Sequence, residues 1–167
     1  VDPFTVFQNS TDQKIFLNRK MVTKENIDLI RGSGVDTFQF NASNEPEGIP
    51  IIVLASRMIW EKGVGEFVDA AKLLNHNKVK CRMVLVGDCD PDSTGSVPKQ
   101  MLEKWHSEGI IEWWGHKANM VDIFSKTHIV CLPSYHEGAP RVLLEAASSG
   151  RPIVTTDVPG CRQIIKD

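Results

Sequence analysis

The chain has 167 residues, of which 41% are hydrophobic and 24% are charged, the ordinary balance of a single globular domain. This composition excludes a disordered tail, a fibrous repeat and a small disulfide-stapled protein. The 19 basic and 21 acidic residues give a formal charge of −2, so the overall charge does not favour nucleic acid or an anionic membrane as a partner. No apolar run approaches the roughly 18 residues of a membrane-spanning helix.

The four cysteines form no Cys-x-x-Cys pair and have no histidine at metal-ligand spacing. Cys81 and Cys131 lie in apolar runs, where a thiol usually behaves as a small core hydrophobe. We therefore expect reduced thiols and a cytoplasmic location, with neither a zinc site nor structural disulfides. The amino terminus does not resemble a signal peptide and lacks Met, which favours a segment of a longer parent protein.

Short β-branched runs alternate with helical patterns along the chain. Several of these runs are apolar throughout, as is typical of strands that are covered on both faces in a parallel sheet. The alternation therefore predicts an α/β fold with a doubly wound parallel sheet. In chain order we predict strands at 4–7, 51–55, 83–86, 110–113, 129–132 and 153–155, and loops at 41–50 and 88–98. Apolar residues at helical spacing predict four helices, with buried faces formed by Phe67, Ala70, Ala71 and Leu74, by Met101, Leu102 and Trp105, by Val121 and Phe124, and by Val142, Leu143, Ala146 and Ala147.

The first charged candidates follow the run at 51–55. Ligands of an open α/β sheet bind outside the carboxyl ends of its strands, so the residues after each run are the candidates for chemistry. Arg57 and Lys62 stand there, just before a predicted helix. A planar guanidinium and a compact ammonium beside helix N-terminal amides suit a diphosphate group. The alternative is that both are solvated charges in a polar turn.

A second candidate corner follows the run at 129–132. The Gly-Ala-Pro sequence at 138–140 offers free main-chain amides and a proline suited to a first helical turn. The carboxylates of Glu137 and Glu145 accept hydrogen bonds of the kind that sugar hydroxyls donate. The alternatives are an i,i+4 ion pair between Glu145 and Arg141 and, for Glu137, an acidic residue favoured near a helix N-terminus.

Several motifs occur in a fixed order along the chain. They are Ser56-Arg57 with Glu61-Lys62-Gly63, Val84-Leu85-Val86-Gly87-Asp88, Trp114-Gly115, Glu137-Gly138-Ala139-Pro140-x4-Glu145, and the closing residues 150–162. In this order they resemble the nucleotide-binding half of glycosyltransferase family 4, whose members are retaining enzymes. The resemblance covers nearly the whole chain, and the Glu-x7-Glu block with the upstream Arg and Lys is specific. It implies a Rossmann-like doubly wound parallel sheet that forms one half of a GT-B fold.

The resemblance also implies roles for individual residues. Arg57 and Lys62 would hold the donor diphosphate and stabilise it as it leaves, and with Glu137, beside the donor sugar, they form the implied catalytic set. Glu145 would bind the ribose hydroxyls, and the turn at 114–117 resembles the loop whose main chain contacts the base. The implied donor-binding residues are Arg57, Lys62, Trp114, Gly115, His116, Glu137, Gly138, Ala139, Pro140 and Glu145.

The resemblance further implies the domain organisation and the partners. Residues 1–167 would be the donor-binding domain, truncated at both ends, and an absent N-terminal domain would bind a saccharide or lipid-linked acceptor. The motifs look most like those of bacterial capsule, O-antigen and lipid-linked glycan enzymes, often N-acetylhexosaminyltransferases. A UDP-sugar is the favoured donor and GDP-mannose the alternative. The parent would act in the cytoplasm or at the inner face of the membrane, whereas this segment alone would bind nucleotide without turnover.

Some chemistry-bearing residues favour other functions. Asp88-Cys89-Asp90 matches the spelling of a metal-binding DxD motif, but Arg57 and Lys62 already supply positive charge, so we expect neither a metal nor another cofactor. His116, His128 and His136 have no identifiable partner in the sequence, so we expect none to act as a general base.

Two alternative functions remain open. A sugar-nucleotide 2-epimerase of related fold would need a Glu and His acid–base pair. A non-catalytic nucleotide-binding module would bind nucleotide while the parent transferred nothing.

Overall fold

The structure is a computed structural model that describes residues 3–165. No helix within this range is long and apolar enough to cross a membrane. The strands are β1 (Thr5–Phe7), β2 (Ile27–Leu29), β3 (Ile51–Ala55), β4 (Arg82–Val86), β5 (Glu112–Trp113), β6 (Ile129–Leu132) and β7 (Ile153–Thr155). The helices are α1 (Ser10–Asn18), α2 (Val64–His76), α3 (Lys99–Ser107), α4 (Met120–Ser125), α5 (Arg141–Ser148) and α6 (Pro159–Arg162).

Five strands form one parallel sheet in the order β5-β4-β3-β6-β7. Val53 in the central strand pairs with Val84 on one side and with Val130 on the other. The first strand of this sheet, β3, lies in its middle. The chain then adds β4 and β5 on one side, and returns to add β6 and β7 on the other side. The predicted Rossmann-like, doubly wound α/β fold is confirmed, and the strand order reverses between β3 and β6.

Helices cover both faces of the five-stranded sheet. On one face Leu54 packs with Phe67 of α2 and Leu102 of α3. On the other face Val53 packs with Ile123 of α4, and α5 covers the neighbouring β6. Because successive residues of β3 point to opposite faces, both of which are covered, the strand is apolar throughout rather than alternating.

Three details differ from the sequence predictions. The run at 4–7 does not join the main sheet, because β1 pairs in parallel with β2 to form a separate two-stranded sheet. The strand predicted at 110–113 is confined to Glu112–Trp113, because the Ile110 N–H still bonds to the Trp105 carbonyl at the end of α3 (3.0 Å). Two residues of the predicted helical faces, Met101 on α3 and Ala147 on α5, are exposed rather than buried. The assignment of all 167 residues to one donor-binding domain stays a prediction.

Asn9 joins the β1–α1–β2 segment to the loop that precedes α5. Its side chain is fully buried, and its Oδ1 accepts a hydrogen bond from the Asp12 N–H at 2.8 Å, which caps α1. Its Nδ2 donates to the Gly138 carbonyl at 3.2 Å. One side chain thus provides an acceptor for an N–H at the start of α1 and a donor for a carbonyl in a distant loop.

Asn9→Ala is expected to lower the free energy of unfolding by about 1–2 kcal/mol, because it removes the cap and leaves the Gly138 carbonyl without its donor. Denaturant unfolding measures this loss. Asn18→Ala, at the exposed end of the same helix, is the matched control and should stay within about 0.5 kcal/mol of wild type. Equal losses in the two variants would show that the Asn9 contacts contribute nothing specific.

Candidate functional site

A cavity of about 530 Å³ lies at the carboxyl ends of β3 and β4, next to the point where the strand order reverses. Small-molecule sites typically measure about 300–1,000 Å³ and occupy this place in doubly wound sheets. Arg57, Asp88, Asp90, His116 and Glu145 contribute to its wall. We call it the strand-end cavity. Acidic and basic side chains from the loops after three strands and from one helix therefore line the strand-end cavity.

Gly87 allows the loops after β3 and β4 to lie close together. It adopts φ 139°, and a Cβ at this position would collide with the Ser56 carbonyl. Only glycine tolerates both the backbone angle and the close approach. The Met58 N–H then bonds to the Asp88 carbonyl at 2.9 Å, which ties the loop after β3 to the loop after β4. Arg57 is thereby presented beside residues 88–90.

The carboxylates of the DxD-like sequence have partners within the protein. Asp90 Oδ2 accepts a hydrogen bond from Arg57 Nη1 at 2.6 Å, and Asp88 Oδ1 accepts one from the His116 main-chain N–H at 3.0 Å. Within residues 3–165, no group of three or more His, Cys, Asp or Glu side chains is placed to hold a metal ion. The sequence indicates Asp90 only as part of a metal motif and does not reveal its contact with Arg57, since the two residues lie 33 positions apart in the chain.

Lys62 and Glu137 form a second ion pair. Lys62 Nζ donates to Glu137 Oε1 at 2.6 Å, and the two side chains are 20% and 9% exposed. Charge-assisted hydrogen bonds of this kind are shorter and stronger than neutral ones, and burial lessens their screening. Removing either partner would therefore leave the other charge poorly solvated.

The loops that carry this pair are held close by main-chain contacts. Gly63 adopts φ 75° between Lys62 and α2, and a Cβ there would collide with the Pro133 carbonyl. The buried Ser134 hydroxyl bridges the loops, donating toward the Glu61 carbonyl at 3.0 Å and the His136 carbonyl at 3.1 Å. The relative position of Lys62 and Glu137 is thus set by the backbone as well as by their own contact.

Glu145 is only 7% exposed, although it lines the strand-end cavity. Its Oε1 lies 2.8 Å from Nε of the exposed Arg141, so the i,i+4 pair considered from the sequence is present. Burial raises the pKa of Glu145 above its ordinary value, and Arg141 offsets this only in part. A nearly buried carboxylate on a cavity wall is well placed to accept hydrogen bonds from a ligand that replaces water.

Glu145→Gln is expected to leave the free energy of unfolding at about pH 7.5 unchanged or to raise it by up to about 1 kcal/mol. Because the fold raises the pKa of Glu145, ionisation of this carboxyl disfavours the folded state. That penalty is present above the folded-state pKa and disappears as the pH falls below the ordinary value, so any advantage of the variant should vanish toward about pH 4. Thermal unfolding of the variant and the wild type between about pH 4 and about pH 7.5 measures this difference in stability. A variant that is clearly less stable at about pH 7.5 would show that the Arg141 pair outweighs the cost of burial.

The turn after β5 is fixed by main-chain bonds. The Trp114 N–H donates to the Leu85 carbonyl at 2.9 Å, and the Gly115 carbonyl accepts from the Gly87 N–H at 2.9 Å. The Trp114 indole faces a different, second cavity of about 790 Å³, where its Nε1 donates to Glu112. The Trp114 ring therefore does not line the strand-end cavity, and the predicted role of this turn in base recognition rests on its main chain.

The structure divides the predicted site residues into four groups, one of which is Trp114 and Gly115, in the turn after β5 and outside the wall of the strand-end cavity. Arg57, His116 and Glu145 line the strand-end cavity, whereas Lys62 and Glu137 form an ion pair that is not part of its wall. Gly138, Ala139 and Pro140 lead into α5 and also lie outside that wall.

In the part of the chain that the structure describes, Glu137 has no histidine partner of the kind that a 2-epimerase would need. Among residues 3–165 its carboxylate is bonded to Lys62, and the adjacent His136 is exposed. The Glu and His acid–base pair expected for that alternative is not formed at this loop.

Comparison with known proteins gives relatives of one kind. A Campylobacter jejuni protein named N,N'-diacetylbacillosaminyl-diphospho-undecaprenol alpha-1,3-N-acetylgalactosaminyltransferase is 34% identical over 118 residues, which cover 71% of this chain and 29% of the relative. The Schizosaccharomyces pombe phosphatidylinositol N-acetylglucosaminyltransferase gpi3 subunit is 29% identical over 132 residues, covering 78% of this chain and 28% of the relative. The chain thus spans less than a third of these proteins.

Solved structures share the fold. A glycosyltransferase from Rickettsia africae matches 99% of this chain and 47% of its own, with a TM-score of 0.80 and 18% identity. Anabaena HepE in complex with UDP-glucose matches 98% of this chain and 47% of its own, with a TM-score of 0.78 and 18% identity. This chain therefore corresponds to about half of each, as expected for one half of a GT-B fold.

A family model described as "Glycosyl transferases group 1" matches residues 49–167, which is most of the chain. The match begins just before β3 and contains the five-stranded sheet with all the predicted site residues. The chain belongs to the glycosyl transferases group 1 family.

Proposed function

We propose that this chain is the donor-binding part of a retaining glycosyltransferase that moves a sugar from a nucleotide sugar to a growing glycan. A UDP-sugar is the favoured donor, because the Anabaena relative of the same fold is described with UDP-glucose. A lipid-linked saccharide is the favoured acceptor, because the Campylobacter relative is named for a diphospho-undecaprenol substrate. This acceptor would bind outside residues 1–167, in a parent that works at the inner face of the membrane.

The placement of Arg57 and Glu145 on the wall of one cavity carries this proposal. A guanidinium offers charge and parallel N–H donors to a diphosphate, whereas a buried carboxylate accepts hydrogen bonds from vicinal hydroxyls. A nucleoside diphosphate presents both groups within one molecule. The cavity volume of about 530 Å³ suits a ligand of this size.

The same residues suggest how the transfer is promoted. When the bond between the anomeric carbon and the diphosphate breaks, negative charge grows on the leaving diphosphate. Arg57 and Lys62 would stabilise that charge in place of a divalent cation, so we propose transfer without a metal. Glu137, which is held by Lys62, would lie beside the donor sugar.

Isothermal titration of the full-length protein with UDP, GDP and ADP tests the proposal. UDP should bind at least about tenfold more tightly than GDP or ADP, and its affinity should not change when a chelator is added. GDP binding as tight as that of UDP would contradict the UDP-sugar assignment. The absence of binding by all three would contradict the donor site itself.

A transfer assay separates the enzyme from a non-catalytic module. The full-length protein should release UDP from a UDP-N-acetylhexosamine when a lipid-linked saccharide acceptor is supplied. Tight UDP binding without any transfer across a panel of acceptors would favour the non-catalytic module instead.

A further inference from the structure

Arg57, the cation on the wall of the strand-end cavity that is proposed to bind the diphosphate, already has an anionic partner. Its Nη1 lies 2.6 Å from Asp90 Oδ2, and the two side chains are 65% and 20% exposed. Both residues line the same cavity. With one N–H of Nη1 bonded to Asp90, at most four of the five guanidinium N–H groups are left for a phosphate. A diphosphate in this cavity therefore meets a guanidinium that is already partly neutralised.

Asp90 is the more firmly held member of the pair. Its N–H donates to the Ser96 hydroxyl at 3.0 Å, and its Oδ1 accepts from the Asp92 N–H at 3.3 Å. The Trp60 N–H bonds to the Gly95 carbonyl at 2.9 Å, which fastens the same loop to the segment after Arg57. Arg57 has no comparable side-chain anchor among the described residues. The guanidinium is thus the group that is free to change partner, while the carboxylate stays where it is.

We propose that Asp90 sets the affinity of the donor site for diphosphate by pairing with Arg57 and competing for it with the ligand. This inference rests on the proposed function, since it assumes that Arg57 binds a diphosphate. When donor or product binds, Arg57 leaves Asp90 for the phosphate oxygens, and the fixed carboxylate beside the phosphates opposes binding. When the nucleoside diphosphate product leaves, Asp90 takes Arg57 back. Asp90 therefore weakens product binding and favours its release.

Asp90→Asn tests the proposal, because asparagine keeps an acceptor for the Asp92 N–H but removes the charge that competes for Arg57. In the full-length protein, UDP affinity measured by titration should rise by about threefold to tenfold, while uridine affinity should not change. The gain should shrink at high salt, because exposed charges are screened. Thermal unfolding of the variant confirms that the loop remains folded.

Two further variants isolate the pair. Asp92→Asn removes an exposed charge from the same loop without touching Arg57, and it should leave UDP affinity unchanged. In an Arg57→Ala background, Asp90→Asn should raise UDP affinity by clearly less than in the wild-type background, because the competition for Arg57 is then absent and only the repulsion between the carboxylate and the phosphates remains. An equal gain from Asp92→Asn would overturn the proposal in favour of a general charge effect.

The remaining outcomes distinguish this inference from the proposed function. A fall in UDP affinity in Asp90→Asn would overturn the inference and show that Asp90 orients Arg57 for the ligand. Unchanged UDP affinity in Asp90→Asn, together with a clear loss in Arg57→Ala, would also overturn the inference while leaving the donor site intact. Failure of the wild-type protein to bind UDP more tightly than uridine would contradict the proposed function itself.

Discussion

Lys62→Ala is expected to weaken UDP binding by at least about tenfold while uridine binding stays within about twofold of wild type. Lys62 ends the turn before α2, and its ammonium sits at a partly buried position beside Glu137. Charge-assisted hydrogen bonds to phosphate contribute about 1.5–3 kcal/mol in such surroundings. Uridine lacks the phosphates, so its affinity does not depend on this charge. Isothermal titration with both ligands measures the difference.

Arg57→Ala should act in the same direction, with a smaller loss because the Arg57 side chain is more exposed than that of Lys62. Lys72→Ala is the matched control, since Lys72 is an exposed lysine of α2 that pairs with Asp69 away from the cavity. Equal losses of UDP and uridine affinity in Lys62→Ala would contradict the phosphate assignment.

The unpaired carboxylate that Lys62→Ala leaves at Glu137 threatens the fold as well as binding, because Glu137 is nearly buried. The double variant Lys62→Ala with Glu137→Gln removes that charge and keeps the test informative. Its UDP affinity should remain low while its unfolding temperature recovers toward that of wild type. Recovery of UDP affinity in the double variant would show that the single variant failed through unfolding rather than through loss of the cation.

Glu145→Gln should lower the affinity for UDP by about fivefold to a hundredfold and barely change the affinity for 2′-deoxy-UDP. A carboxylate accepts two hydroxyl protons at once, whereas an amide offers one acceptor oxygen and two donor hydrogens. Glu145 is nearly buried on the wall of the cavity, so water does not readily replace the lost interaction. Titration of both ligands against both proteins gives the ratio of affinities. An unchanged ratio in the variant would end the ribose assignment.

Arg141→Ala is the control for this experiment. Arg141 is exposed and contacts the same carboxylate at 2.8 Å, so its removal breaks the ion pair but leaves the acceptor in place. If Glu145 binds the ribose, Arg141→Ala should change UDP affinity by no more than about twofold. Similar losses in Arg141→Ala and Glu145→Gln would mean that only their ion pair matters.

Three strands of the main sheet could be predicted to the residue because their signal is local. The runs predicted at 51–55, 129–132 and 153–155 have the same bounds as β3, β6 and β7 in the structure. Membership of a sheet, by contrast, depends on distant segments. The run at 4–7 has the composition of a strand, but only its pairing with residues 27–29, which carry a weak signal, places it outside the main sheet. The strand at 110–113 was shortened by a helix end that alternation does not reveal.

The site shows the same division between local and distant information. The rule that ligands bind at the carboxyl ends of strands brings Arg57, Lys62, Glu137 and Glu145 forward as candidates. Only the family resemblance favours ligand binding over solvated charges and surface ion pairs at these positions. The pairs between Arg57 and Asp90 and between Lys62 and Glu137 join residues separated by 33 and 75 positions, so no spacing in the chain indicates them. Only the folded structure shows that Arg57 and Lys62, the two cations proposed to bind the diphosphate, each pair with a carboxylate of this chain.

A crystal structure of the full-length protein with UDP would show whether the strand-end cavity is the donor site. We expect UDP to occupy this cavity, with its ribose hydroxyls on the Glu145 carboxylate and its phosphates on Arg57 and Lys62. Arg57 should then have left Asp90 for a phosphate oxygen. UDP bound elsewhere, or bound in the cavity with its ribose away from Glu145, would contradict the assignment of this cavity as the donor site.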